Sequence, residues 1–211
     1  MNDVAAHRSN LDRRRMPMQA RGKKRVDEIL DATAAIVKEE GLARLTTNLV
    51  AERAGVPIGT IYQFFPNKAA ILVALEQRFV DRVTAALDAL LQSVGTGLSL
   101  MDRLIDDMAR LWREDEALML NWHALRTEPQ FAALEAESVK IVAHRNAALL
   151  ERMGVVPPAR RDFVGAILQE WISAHLDFAA KLSPAKRREA VKELKRMVRA
   201  YLQSYSRERT R

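Results

Sequence analysis

Between Thr46 and Lys68, the chain carries side chains whose types and spacing suit hydrogen bonding to a nucleic acid. Thr60 and Gln63 offer a hydroxyl and an amide, which are groups that reach the edges of bases. Lys68 can neutralise a phosphate, and Gly59 lets a backbone approach a duplex closely. This chemistry recognises a partner through hydrogen bonds and charge, and it does not require a bond to be made or broken.

Two short helices joined by a tight turn would position these groups. Thr46 can cap the first helix by accepting a hydrogen bond from an early backbone N–H. Gly55 follows the last apolar residue at helical spacing and can end that helix in the left-handed conformation. Pro57 suits the start of the next helix because its φ is fixed and it has no N–H to lose. An ordinary corner between two helices could carry the same turn, but the polar face that follows favours a helix-turn-helix with residues 58–64 as the recognition helix.

The stretch from about residue 22 to residue 72 resembles the N-terminal signature of the TetR family of bacterial repressors. The matching positions are Gly41, Thr46, Ala51, Ala54, Gly55, Val56, Gly59, Ile61, Tyr62, Phe65 and Lys68. Two positions depart from the family pattern, since Pro57 replaces a common Ser and Phe64 replaces a common Tyr or His. The second departure removes a possible phosphate contact, so we assign no such role to Phe64.

The resemblance implies a homodimeric repressor that places one recognition helix per subunit in successive major grooves of a palindromic operator. Thr46, Tyr62 and Lys68 are then expected to contact phosphates, and Thr60 and Gln63 to contact base edges. The predicted DNA-binding residues are Arg21, Lys23, Lys24, Arg25, Thr46, Thr47, Pro57, Ile58, Gly59, Thr60, Tyr62, Gln63 and Lys68.

The net charge of +7 is distributed unevenly over the 211 residues. Residues 1–25 carry +6, residues 26–180 carry −7, and residues 181–211 carry +8. The acidic middle of the chain excludes a general binder of polyanions. The basic charge at 21–25 adjoins the predicted DNA-binding helices and can contact phosphates, whereas residues 1–15 suit either a minor-groove arm or a solubilising tail.

Apolar residues at helical spacing recur along the chain, and no segment alternates as a strand does. We therefore predict an all-α fold of about nine helices, including a short one over 116–126. The predicted parts are a flexible basic arm (1–20) with an extended lead-in at 16–18, a helix-turn-helix domain (21–68), and a C-terminal domain (69–211). In the family, the C-terminal part binds a ligand and forms the dimer, and a long fourth helix leads into it.

A ligand pocket is predicted where aromatic and methionine side chains cluster. Such side chains suit an apolar or flat aromatic ligand that His or Arg would orient, although each of them alone is more typical of the core than of a ligand contact. The predicted ligand-binding residues are Met108, Trp112, Met119, Trp122, His123, Phe131, Trp171, His175 and Phe178.

The last two helices are predicted to form the dimer interface. Each carries an apolar stripe, and the pair could complete a four-helix bundle with the same pair of a second subunit. The alternative is that both stripes are buried within their own subunit. The predicted interface residues are Val164, Leu168, Trp171, Ile172, His175, Val191, Leu194, Val198, Tyr201, Leu202 and Tyr205.

The sequence offers little for catalysis. It has no cysteine, no phosphate-binding glycine loop and no His pair at metal-binding spacing, so we predict no catalytic residue, metal or cofactor. Without an apolar run long enough for a membrane or a signal segment, the protein is expected to be cytoplasmic. The main alternative to a ligand-responsive repressor is a DNA-binding protein without an inducer, whose C-terminal half serves dimerisation or a protein partner. An enzyme with an appended DNA-binding domain is a third reading.

Overall fold

The structure, a computed structural model, describes residues 4–115 and 129–208, with side chains described for 21–115, 132 and 136–205. These residues form eight α-helices and two short 3₁₀ turns, without a strand in the described ranges. The helices are α1 (Val4–Glu40), α2 (Thr47–Ala54), α3 (Ile58–Phe64), α4 (Lys68–Gln92), α5 (Leu98–Glu114), α6 (Pro129–Met153), α7 (Arg161–Ala180) and α8 (Pro184–Glu208). The all-α prediction is confirmed, and the helix predicted over 116–126 lies outside the described residues.

The chain divides into two compact units, an N-terminal unit of residues 1–75 and a C-terminal unit of residues 76–211. The division falls inside α4, so this helix contributes its first turns to one unit and its remainder to the other. The boundary predicted at 68/69 corresponds to the start of α4, and the assignment of functions to the parts remains a prediction.

The extended lead-in predicted at 16–18 is wrong, because α1 begins at Val4 and continues through Pro17 to Glu40. The residues before Gly22 include many Ala, Arg, Leu and Met, all of which favour helix. Pro17 lacks an N–H and is unfavourable inside a helix, which is why the sequence pattern argued for a break there. The surrounding helix formers outweigh that one residue.

Local signals define the ends of the helices in the N-terminal unit. The N–H of Leu49 donates to Thr46 Oγ1 at 3.1 Å, and this caps α2. Gly55 adopts φ 65°, a conformation that costs glycine little and other residues more. The N–H of Ala70 donates to Asn67 Oδ1 at 2.9 Å and caps the start of α4. The caps at Thr46 and Gly55 were predicted from the sequence.

Apolar residues of all four helices form the core of the N-terminal unit. Ile29 and Ile36 of α1, Val50 of α2, Ile61 of α3 and Ile71 of α4 are completely buried. Arg53 of α2 adds an ion pair by donating to Glu39 of α1 at 2.6 Å. Its hydrogen bond to that carboxylate raises the pKa of Arg53 above its usual value. The short helix α2 therefore packs against the long α1, and α3 packs against α2.

In the C-terminal unit, α6 and α7 pack most closely where α7 has a glycine. A Cβ on Gly165 would lie 2.8 Å from the carbonyl oxygen of Ala143 and 3.0 Å from the backbone nitrogen of Ala147. Real Cβ atoms do not come this close to a backbone oxygen, so a larger residue would force the two helices apart. Glycine at 165 is thus required by packing.

An arginine from α6 caps the end of α4. The Arg152 guanidinium donates to the carbonyl oxygens of Leu90 and Leu91 in the last turn of α4, and to that of Ser93 just beyond it. The last carbonyls of a helix have no partner within the helix and carry partial negative charge, so a cation is favourable there. This cap joins two helices that are distant in sequence.

Candidate nucleic-acid interface and ligand cavity

The recognition helix α3 has one buried face and one exposed face. Ile61 is completely buried and Phe65, directly after the helix, is 6% exposed. Tyr62 is 54% exposed, Gln63 is also exposed and Thr60 is half-buried. The helix therefore rests on two apolar side chains and presents a hydroxyl, an amide and a phenol outwards.

The start of α2 contributes further hydroxyls close to Tyr62. The hydroxyl oxygens of Thr47 and Tyr62 lie 3.3 Å apart, within hydrogen-bond distance. Thr46 is exposed, and its Oγ1 accepts the Leu49 N–H, which leaves the hydroxyl proton free to be donated to an anion. These residues of α2 and α3, which are separate in sequence, thus form one patch of hydroxyl donors.

Basic residues of α1 lie beside the other side of the recognition helix. A groove of about 430 Å³ is lined by Arg21, Gly22, Lys24, Arg25, Glu28, Thr60, Gln63 and Phe64. Lys23 and Lys68 are exposed as well. Arg25 also donates to Glu28 at 2.7 Å, so part of its charge is compensated. The groove brings charge for phosphates next to amide and hydroxyl groups for bases.

The remaining residues of the predicted DNA-binding set also lie at this surface. Pro57 precedes the first turn of α3 with an extended ψ of 143°. Ile58 is 38% exposed, and Gly59 has no atom within 4 Å of the position that a Cβ would occupy. The first turn of α3 is therefore open to a close approach. Phe64, to which the sequence analysis assigned no phosphate contact, is 38% exposed and lines the groove.

The C-terminal unit encloses a cavity of about 100 Å³. Its lining residues are Glu76, Phe79, Val80, Val83, Leu87, Leu104, Met108, Trp112, Ser138, Val139, Val142, Asn146, Gln169, Ile172, Ser173 and Asp177. Trp112 packs edge-on against Phe79 with ring centroids 5.1 Å apart. Its indole Nε1–H donates to Asp177 Oδ1 at 2.9 Å. The cavity is thus mostly apolar, with a few buried polar groups.

Of the nine predicted ligand-binding residues, Met108 and Trp112 line this cavity. Met119, Trp122, His123 and the side chain of Phe131 lie outside the described residues. The expected convergence of Trp171, His175 and Phe178 on the cavity is wrong. These three residues lie on another face of α7 from the one that lines the cavity. The lining face carries Gln169, Ile172, Ser173 and Asp177.

The structure also corrects the predicted dimer seam. Seven of its residues are buried within a single chain, with at most 5% exposure: Val164, Leu168, Ile172, Leu194, Val198, Leu202 and Tyr205. The seam faces inwards because α7 and α8 pack against other helices of their own chain, so these seven side chains offer little surface to a second subunit. Val191 and Tyr201 are half-buried.

A different apolar surface remains exposed on α7 and α8, which we call the α7–α8 face. It consists of Phe163, Trp171, Phe178 and Met197, which are between 45% and 63% exposed. Tyr201 packs against Trp171 with ring centroids 5.1 Å apart. Burial, with a hydrogen bond to Tyr205, raises the pKa of Tyr201 to about 12, so its hydroxyl stays protonated at neutral pH. Of the predicted interface residues, Trp171 belongs to this face. His175 Nε2 lies 2.8 Å from the carbonyl oxygen of Ala190, within hydrogen-bond distance.

The sequence reasoning overlooked the polar residues of the cavity. Ser138, Val142 and Asn146 recur every four residues along α6, and all three are buried. Polar residues at the helical phase of a buried stripe were therefore a signal that could have indicated an internal site. No helix in the described ranges is long and apolar enough to cross a membrane.

Comparisons with known proteins agree with this architecture. Residues 29–75 match the N-terminal domain of "Bacterial regulatory proteins, tetR family", and residues 98–205 match the "Tetracyclin repressor-like, C-terminal domain". The chain belongs to the TetR family of bacterial regulatory proteins, since the second match alone covers more than half of it.

Individual relatives are more distant. The HTH-type transcriptional repressor KstR of Mycolicibacterium smegmatis is 32% identical over 96 residues, which are 46% of this chain and 47% of KstR. KstR of Mycobacterium tuberculosis is 33% identical over 116 residues, 55% of this chain and 51% of that protein. The chain thus spans about half the length of these curated relatives. A crystal structure of a TetR-family regulator from Streptomyces coelicolor superimposes with a TM-score of 0.64 at 28% identity, covering 86% of this chain and 99% of that one.

Proposed function

We propose that this protein is a homodimeric transcriptional repressor that binds a palindromic DNA operator and is released from it by a small apolar or aromatic ligand. The observation that carries the proposal is the recognition helix, which keeps Ile61 in the core and turns Tyr62 and Gln63 outwards. The protein would act at the chromosome, in the bacterial cytoplasm, and no catalytic step is needed.

The DNA contacts are assigned by side-chain chemistry and by exposure. Thr60 and Gln63 contact base edges, because the hydroxyl and amide groups can donate and accept hydrogen bonds there. Thr46, Thr47, Tyr62 and Lys68 contact phosphates on one side of α3. A separate group contacts phosphates on the other side: Arg21, Lys23, Lys24 and Arg25. These contacts give affinity, and the two base contacts give specificity.

The test of these roles compares Gln63→Ala with Lys68→Ala in operator-binding anisotropy. Gln63→Ala should cost about 1–3 kcal/mol on the operator and little on scrambled DNA, since it removes a base contact. Lys68→Ala should weaken binding to both DNAs and lower the slope of log K against log[salt] by about one. If Gln63→Ala weakened both DNAs equally, Gln63 would contact the backbone and the assignment would be wrong.

We assign dimerisation to the α7–α8 face, since its four large apolar side chains would otherwise remain in water. A second copy placed on this face would bury them in an isologous interface. Phe178→Glu should therefore convert the dimer into monomers in sedimentation equilibrium. Val94→Glu is the matched control, because Val94 is 96% exposed but lies outside this face. A Phe178→Glu protein that remained dimeric would place the interface elsewhere.

Ligand control is assigned to the cavity of the C-terminal unit. A ligand can release DNA only if it binds more tightly to a state with low operator affinity. The helix α4 belongs to both units and has no internal Gly or Pro, so it is the element that could transmit such a change. The alternative function, a DNA-binding protein without an inducer, has the same DNA interface but no such coupling.

One experiment distinguishes the ligand-responsive repressor from the DNA-binding protein without an inducer. Operator anisotropy at fixed salt is measured with the DNA flanking the gene of this protein and with scrambled DNA, before and after addition of a panel of apolar and aromatic compounds. Selective binding that a compound reverses supports the ligand-responsive repressor. Selective binding that no compound changes, even when the compound binds the protein, supports the function without an inducer.

A further inference from the structure

Asn146, which lines the cavity of the C-terminal unit, carries an unsatisfied polar atom. This residue of α6 is 2% exposed, and it lines the cavity. Its side-chain oxygen, Oδ1, has no hydrogen-bond partner among the described residues. A buried acceptor without a partner costs free energy, so native proteins rarely keep one unless it has a function.

Three donors around the cavity already have acceptors among its other polar side chains. Ser138 Oγ donates to Glu76 at 3.2 Å, Trp112 Nε1 to Asp177 at 2.9 Å, and Gln169 Nε2 to Ser173 at 3.1 Å. These donors already have acceptors, whereas Asn146 Oδ1 needs a donor. A molecule that enters the cavity can supply it.

The size of the cavity limits what that molecule can be. A cavity of about 150 Å³ lined by apolar side chains accepts a benzene ring, and this one measures about 100 Å³. Most of its lining is aliphatic or aromatic, including Phe79, Leu87 and Met108. Because this cavity is smaller than one that accepts benzene, the matching ligand is at most about one ring in size, and it is mainly apolar.

We propose that the cavity selects a single-ring, mainly apolar molecule that carries one hydrogen-bond donor, and that Asn146 Oδ1 accepts the hydrogen bond from it. Asn146 is then the residue that sets specificity, while the apolar lining contributes affinity. This inference rests on the proposed ligand-responsive function and adds the chemical class of the ligand to it.

The experiment measures the binding of three probes of similar size to the full chain by titration calorimetry. Phenol carries a hydroxyl donor, anisole carries an oxygen that only accepts, and toluene carries neither. One neutral hydrogen bond in a buried site corresponds to about tenfold in affinity. We therefore expect phenol to bind about tenfold more tightly than toluene, and anisole to bind no more tightly than toluene.

The variant Asn146→Leu keeps the number and branching of the side-chain heavy atoms and removes the acceptor. This variant should bind phenol and toluene with about equal affinity. Its melting temperature without ligand should rise, because an unpaired buried acceptor is gone. The matched control is Asn48→Leu, which changes an exposed asparagine of the N-terminal unit. It should retain the tenfold preference of the wild type.

Several outcomes overturn the inference. Anisole or toluene binding the wild type as tightly as phenol would show that no donor is selected, and this comparison does not depend on any variant folding. An unchanged phenol preference in Asn146→Leu would exclude Asn146 as the acceptor. A failure of all three probes to bind would exclude the single-ring class of ligand. The proposed function fails separately: if phenol binds with the expected preference but operator anisotropy is unchanged, the inference stands and ligand release does not.

Discussion

The two units of the chain use their polar side chains in opposite ways. In the N-terminal unit, Tyr62 and Gln63 point away from a closed apolar core. In the C-terminal unit, Ser138 and Asn146 are buried at an internal cavity. An exposed polar face can recognise a large partner such as DNA, whereas an enclosed one can recognise only a molecule small enough to enter. The proposed function therefore assigns the same class of side chain to two kinds of recognition.

The largest expected effect tests the inward side of the recognition helix. Ile61→Ala should lower the free energy of unfolding by about 2–5 kcal/mol, because it leaves a void under α3 in a completely buried position. Urea unfolding followed by circular dichroism measures the change. Ile58 of the same helix is 38% exposed, so Ile58→Ala should cost about 0.5 kcal/mol or less. Equal costs at the two positions would contradict the orientation of α3.

A smaller effect is expected at the contact between α6 and α7. Gly165→Ala should destabilise the protein by about 1–3 kcal/mol, since the new methyl group meets the Ala143 carbonyl. Alanine is intrinsically the better helix former, so a loss of stability would be caused by packing alone. The same unfolding experiment reports it. An increase in stability would show that the two helices can separate without cost.

The smallest effect concerns Gly59, a helical glycine of the N-terminal unit. Gly59→Ala should raise the free energy of unfolding by up to about 1 kcal/mol, because the helix gains propensity and the space around position 59 is empty. Its operator affinity should nevertheless fall, since the methyl group would stand between the helix and DNA. Unfolding and anisotropy on one preparation measure both. Unchanged operator affinity would place the DNA away from the first turn of α3.

The contrast between the N-terminal and the C-terminal unit also explains which features the sequence could predict. The caps at Thr46 and Gly55 depend on neighbours only a few residues away, so both ends of α2 were predictable from local patterns. The polar face of α3 was predictable for the same reason. Such features are decided within a few turns of the chain.

The cavity and the α7–α8 face depend on how distant helices pack. The sequence indicates that Trp112 and Trp171 are both suited to an apolar environment, but only the packing of α7 places the first at the cavity and the second on the surface. Likewise, Leu194 and Val198 form a regular stripe that could face a second subunit or its own chain. Periodicity identifies the stripe and cannot identify which surface covers it.

The Arg152 cap has a consequence for the order in which the protein loses structure. Arg152 stands 62 residues after the Leu90 carbonyl to which it donates. A helix end that is capped by its own neighbours can fray alone, but this end can open only when the guanidinium of α6 withdraws. Opening of the last turn of α4 is therefore coupled to α6, and the amide hydrogens of both segments should exchange with solvent as one cooperative unit.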